Sequence, residues 1–304
     1  LTVKRDVPPQ TQDGSADGRQ SGWAGDFAVL VKARLSLLVV FTTAIGFHVG
    51  AGGLKPLSGF LFAVLGTALA AGSAAALNQW MESDVDRLME RTRNRPLAAG
   101  RWGRTSALWV GIALGVAGVG VLWAALPRLA AWLAAATILV YLALYTPMKR
   151  RSWWCVLVGA VSGALPPVIG WAATGSTENW AAWVLFGILF FWQMPHFLAI
   201  AWMYSEEYQK AGFVMLKPGD AAGFATALQA LVYAVLLAAV TFVPVFLGKT
   251  AVFYSFAAGL LNLMFCGSAL VFFVERSRVS ARRLFFMSIV FLPVMLLLLA
   301  FSRR

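Results

Sequence analysis

Asn78, Glu82 and Asp86 stand four residues apart. On a helix each step of four drifts by only about 40°, so the three side chains line one face, with Asp84 on another side. An amide and two carboxylates in such a row offer the oxygen donors that a hard divalent cation such as Mg²⁺ takes, especially one shared with a phosphate. Arg91, Arg93 and Arg95 follow directly, guanidinium groups suited to a phosphate's remaining charge. Arg95 is the strongest single candidate, because Pro96 fixes the chain direction just after it. The bland alternatives are a solvated helix end and cations that only set membrane topology. Near-membrane carboxylates sharing a face are costly, and that favours function. Acid beside base in this order suggests diphosphate chemistry.

A second cluster follows Trp192. His196 comes right after Pro195, Tyr204 and Tyr208 lie four apart, and Glu206 and Glu207 sit between the tyrosines. A lone histidine in an apolar helix is more often a packing residue than a ligand; the adjacent proline raises the functional reading. The glutamates read equally as a solvated loop. A third region joins Lys149, Arg150 and Arg151, three cations able to hold phosphate, to Pro166-Pro167. Two prolines inside an apolar run are expected to break or kink its helix, which a bundle tolerates where it lines a cavity. His48 reads as structural.

The elements that must position these residues are membrane helices. The chain has 304 residues, 60% hydrophobic and 12% charged, with mean hydropathy +0.74. A soluble domain carries about 25% charged residues, and the apolar runs lack the alternation of a barrel. The expected fold is an all-α integral membrane bundle of about nine transmembrane helices in the lipid bilayer. Apolar runs fall at 29–50, 57–80, 106–126, 129–147, 153–174, 180–203, 223–247, 251–274 and 284–301, each near the ~20 residues a span needs. Residues 1–26 read as a disordered cytoplasmic tail, without the apolar core of a signal peptide or the acid-poor composition of a transit peptide. Residues 27–304 form the transmembrane domain. Small residues at Ala68–Ala76 and at Gly111, Gly115 and Gly118 allow close helix approach. Cys155 and Cys266 lie in apolar runs and read as buried free thiols.

Charge alternates between the connections. Of the 25 basic residues, 20 precede or open the first span or fall in the loops after even-numbered spans. The positive-inside rule then puts the N-terminus and the acidic motif in the cytoplasm and the C-terminus outside. The net charge of +12 has the same origin, so no nucleic-acid partner is expected.

At these residues the chain resembles the UbiA superfamily of intramembrane prenyltransferases, and within it the branch that farnesylates haem. Asn78-x3-Glu82-x3-Asp86 matches the superfamily's first acidic motif. Arg91-Thr with Arg95-Pro-Leu, the Lys149–Arg151 block with Ser162-Gly-Ala-Leu-Pro-Pro-Val-Ile-Gly170, and Pro195-His196-Phe with Ala201-Trp202-x-Tyr204 are similar to the haem branch. Where the superfamily's second motif carries two aspartates, this chain has Tyr204 and Tyr208. The resemblance implies transfer of a farnesyl group from farnesyl diphosphate to a vinyl group of haem B, with Mg²⁺ as cofactor. It implies Asn78, Glu82 and Asp86 as metal ligands, Glu206 and Glu207 as candidates for a second metal site, and Arg91, Arg95, Lys149 and Arg150 for the diphosphate. His196, Trp202, Tyr204 and Tyr208 would meet haem or prenyl chain. It also implies an inner (plasma) membrane location and haem A synthase as a downstream partner. A quinone-type aromatic acceptor is the alternative within the superfamily; a transporter is the alternative outside it.

Overall fold

The computed structural model describes residues 22–303. The helices are α1 (Trp23–Leu30), α2 (Ala33–Ala51), α3 (Leu57–Asp86), α4 (Arg104–Ala125) and α5 (Arg128–Leu139). After a π-helical stretch, Val140–Tyr145, come α6 (Thr146–Met148), α7 (Cys155–Ala172), α8 (Asn179–Met203) and α9 (Ser205–Lys210). The last three are α10 (Phe224–Phe246), α11 (Val252–Glu275) and α12 (Arg278–Ser302). Counting Arg128–Met148 as one, nine helices among the described residues are long and apolar enough to cross a bilayer, as the hydropathy requires. The protein is a multi-pass membrane protein.

Four boundaries depart from the expected ones. The expected tail 1–26 lies outside the described residues through 21, but its last part is helical, since α1 starts at Trp23. The first run, read as one span from 29, is split at Lys32, which takes a left-handed conformation at φ 49°. That region is sterically disfavoured for a side chain with a Cβ, and it makes a corner between α1 and α2. α3 continues past 80 to Asp86, because its polar face is buried in the bundle instead of meeting water. α12 starts at Arg278, ahead of the expected 284, because Ser277 and Ser280 form a reciprocal capping box that satisfies the first free N–H groups.

α7 and α8 form the buried centre, with α4, α5, α10 and α11 outermost. The expected close approaches occur: a Cβ on Gly118 would lie 2.7 Å from the backbone N of Ala70, across α4 and α3. The crossing of α2 and α7 is tighter, since a Cβ on Gly170 would sit 2.0 Å from the Thr43 carbonyl oxygen. Of the two outcomes expected for Pro166 and Pro167, a break does not occur, since α7 runs on through both. Thr43 Oγ1 donates to the Pro166 carbonyl at 3.2 Å, and Pro166 lines a cavity. Both thiols are free, Cys155 buried and Cys266 partly buried.

Candidate active site

The oxygen ladder of α3 is buried, and a different cation sits on each of its rungs. Lys32 Nζ donates to Asn78 Oδ1 at 2.7 Å. Lys149 Nζ donates to the Glu82 carboxylate at 2.8 and 3.1 Å. Arg95 Nη1 donates to both Asp86 oxygens at 2.8 Å. Asn78 is fully enclosed, and Glu82 and Asp86 are 6% and 1% exposed, so bare carboxylates here would be very costly. The cations make their burial tolerable.

Local structure places each partner. Gln79 Nε2 donates to the Val29 and Leu30 carbonyls at 2.7 and 2.9 Å, tying the end of α1 to α3. The left-handed turn at Lys32 then carries its ammonium to Asn78. The π-helical stretch before α6 widens the helix where Tyr141, Tyr145 and Thr146 must face α3. Asn78 Nδ2 donates to Thr146 Oγ1 at 3.2 Å, and Thr146 Oγ1 donates to the Tyr141 carbonyl at 2.8 Å. Lys149 lies over the Tyr145 ring at 4.6 Å, with Phe213 on the loop above it at 5.8 Å. Thr92 Oγ1 donates to the Asp86 carbonyl at 2.9 Å, which folds the Arg91–Arg95 segment back over the end of α3.

The two lysines are driven in opposite directions. Burial holds the Lys32 ammonium below the ordinary lysine range; Arg95 and Lys149 push the same way, while Tyr141 and Glu82 oppose. Burial works against Lys149 too, but Tyr145 and Glu82 outweigh it and hold its pKa above the ordinary value.

Below this charged head lies a cavity of about 280 Å³, close to the lower end of small-molecule sites. Lys32, Tyr141 and Tyr145 line its head, and Ala71, Ile169, Trp192 and His196 are among the residues that line the rest. Most of its wall is apolar; Ser162, Gln193 and His196 are polar points within it. The arrangement suits a ligand with an anionic head and an apolar body.

Of the residues singled out from the sequence, Asn78, Glu82, Asp86, Arg95 and Lys149 meet in one cluster, and His196 lines the cavity that opens from it. Arg91 lies at its edge, over the Tyr204 and Tyr208 rings at 5.7 and 6.0 Å, with Nη2 3.3 Å from the Tyr208 hydroxyl. Asp84 points elsewhere, to Arg104 at 3.1 Å. Arg150 is exposed and makes no ion pair among the described residues. Trp202 lines a separate groove with Tyr208 and Lys217, so it does not face the main cavity. Glu206 is 71% exposed and bonded to Arg278, not to the α3 ladder, and Glu207 is half-buried without a bond to that ladder. Sequence reasoning missed Lys32, Gln79, Tyr141, Tyr145 and Thr146 as site residues. From the sequence Lys32 reads as a topological charge, and its place at the opening of an apolar span is the one hint of more.

The donor set suits a hard cation. Two carboxylates and an amide supply part of an oxygen shell, and phosphate and water commonly complete one. Among the described residues no group of three or more His, Cys, Asp or Glu able to hold a metal occurs, and Glu206 pairs with Arg278.

The chain matches the UbiA prenyltransferase family over residues 39–291. It is 42% identical over 287 residues to a protoheme IX farnesyltransferase of Solibacter usitatus, covering 91% of this chain and 98% of that protein. In fold it resembles a digeranylgeranylglyceryl phosphate synthase, with TM-score 0.76 at 14% identity over 91% of this chain and 97% of that one. A UbiA homolog from Archaeoglobus fulgidus bound to GPP and Mg²⁺ matches with TM-score 0.62 at 17% identity, over 90% and 99% of the two chains. The chain belongs to the UbiA prenyltransferase family and is similar, over nearly its whole length, to that family's protoheme IX farnesyltransferases.

Proposed function

We propose that the protein transfers the farnesyl group of farnesyl diphosphate to a vinyl group of haem B, with addition of water, giving haem O and diphosphate. The observation that carries this reading is the joining of a buried cationic and acidic head to an apolar cavity. The identity to protoheme IX farnesyltransferases supplies the acceptor.

Asn78, Glu82 and Asp86 would hold Mg²⁺, which when bound neutralises diphosphate charge and improves the leaving group. Lys32, Arg95 and Lys149 meet the remaining phosphate oxygens, with Arg91 at the rim. The C1–O bond of the farnesyl diphosphate breaks and its electron pair leaves with diphosphate. Stabilising that developing charge is the main catalytic contribution expected of these cations. Aromatic faces in the bundle attract the allylic cation. The vinyl π-electrons then form the new C–C bond, water adds to the resulting carbocation, and a proton is released. No nucleophilic side chain is required.

The site lies at the cytoplasmic end of an inner (plasma) membrane protein, with the C-terminus outside. Residues 27–304 form the catalytic domain, and the product passes to haem A synthase or a terminal oxidase. Diphosphate release tests the assignment: it should require both haem B and a divalent cation. Release supported by an aromatic acid instead of haem would move the acceptor to the quinone type. Solute flux in proteoliposomes without release would favour a transporter.

A further inference from the structure

His196 is held as few cavity-lining side chains are. Its ring lies between Trp192, 4.9 Å away with planes 21° apart, and Phe285, 5.0 Å away with planes 27° apart. Its Nδ1 is 2.7 Å from Ser288 Oγ. Ser288 is fully buried, and its carbonyl accepts from Trp192 Nε1 at 2.7 Å. α8 and α12 are therefore locked around one serine.

The direction of the His196 bond follows from the serine's other contact. Ser288 Oγ is 2.5 Å from the Phe285 carbonyl oxygen. Two oxygens approach that closely only with a proton between them, and a backbone carbonyl has none to give. The hydroxyl proton is thus committed to Phe285, and Ser288 Oγ accepts from His196 Nδ1–H. In the neutral imidazole the other nitrogen, Nε2, then carries a lone pair. Both ring faces are stacked and the Nδ1 edge is bonded, so the Nε2 edge is what His196 offers to the cavity it lines.

We infer that Ser288 is a positioning residue that holds His196 as an Nε2 lone-pair donor, and that the group it receives is the iron of the haem substrate and not a propionate. This inference rests on the haem reading above. An ionised propionate needs a hydrogen-bond donor, and Nε2 in this tautomer is none. Iron takes the lone pair of a neutral imidazole. A hydrogen bond from the ring's other nitrogen, as from His196 to Ser288, is the usual way a ligating histidine is oriented and made more basic.

The test is titration of the purified full-length protein with ferric haem B and, in parallel, with iron-free protoporphyrin IX, followed by absorption and electron paramagnetic resonance spectra. The wild type should show a histidine-ligated ferric spectrum. His196→Gly should lose it and regain it with added imidazole, while binding iron-free porphyrin as the wild type does. Ser288→Ala, which only removes an oxygen, should weaken ferric haem binding about 10- to 100-fold without changing porphyrin binding; Ser288→Thr, which keeps the hydroxyl, should restore it. If His196→Gly leaves the iron spectrum unchanged, or weakens haem and iron-free porphyrin equally, the inference is wrong even where the wild type still makes haem O. If the wild type neither binds nor alkylates haem, the haem reading itself falls.

Discussion

Each donor on α3 is matched to a cation from a different part of the chain: Lys32 from the α1–α2 corner, Lys149 from the end of α6, and Arg95 from the loop after α3. Removing one partner of a buried pair leaves an uncompensated charge, so conservative replacements are the informative ones. Glu82→Gln should lower haem O formation about 10²- to 10³-fold, comparable to losing a key electrostatic group. Because Lys149 then loses its buried counter-charge, thermal unfolding in detergent should fall while the protein still folds, and wild-type turnover would remove Glu82 from the metal set. Lys32→Met should raise the KM for farnesyl diphosphate by about ten-fold, the size of one charge-assisted hydrogen bond, while Lys32→Arg keeps most of the affinity. Steady-state kinetics with varied diphosphate checks both. The acid ladder was legible because helical spacing places i, i+4 and i+8 on one face. Lys32 was not: its role depends on a left-handed turn and on Gln79, and neither leaves a periodic signal. Ser288 was equally hidden, as one serine within an apolar run.

At the scale of the helix, the nine spans were readable from apolar length alone, and the departures share a cause. Hydropathy reports what lipid touches, whereas α3 runs on to Asp86 because protein covers its polar end, and α12 begins early because two serines cap it. The prolines of α7 leave it unbroken for a related reason: a neighbouring threonine and close packing against α2 accommodate them. That contact predicts a sensitive position. Gly170→Ala should destabilise the fold by about 1–3 kcal/mol, as overpacking does, seen as a lower unfolding temperature in detergent. Gly120→Ala, where a Cβ meets nothing within 4 Å, should have little effect.

Over the whole molecule, the contacts sort the loops into two ends. Glu82–Lys149, Arg91–Tyr208 and Glu206–Arg278 bring together the end of α3 with its following loop, the loop after α6, α9 and the start of α12. Glu178 gathers Lys249 and Arg303 at other loop ends. The grouping is the one the charge alternation predicts, so the arrangement of loops was legible from Lys and Arg counts. In a background without native cysteines, Arg93→Cys should react with an impermeant maleimide only in inverted vesicles, and Lys249→Cys only in intact cells. The opposite pattern would turn the site to the other face of the membrane.

The most direct test of the central claim is incubation of purified protein with haem B, farnesyl diphosphate and Mg²⁺, with the haem products read by mass spectrometry. The expected product is a haem heavier by one farnesyl group plus water, lost when the metal is chelated. Unmodified haem, with the farnesyl group transferred to another acceptor and diphosphate released, would contradict this reading.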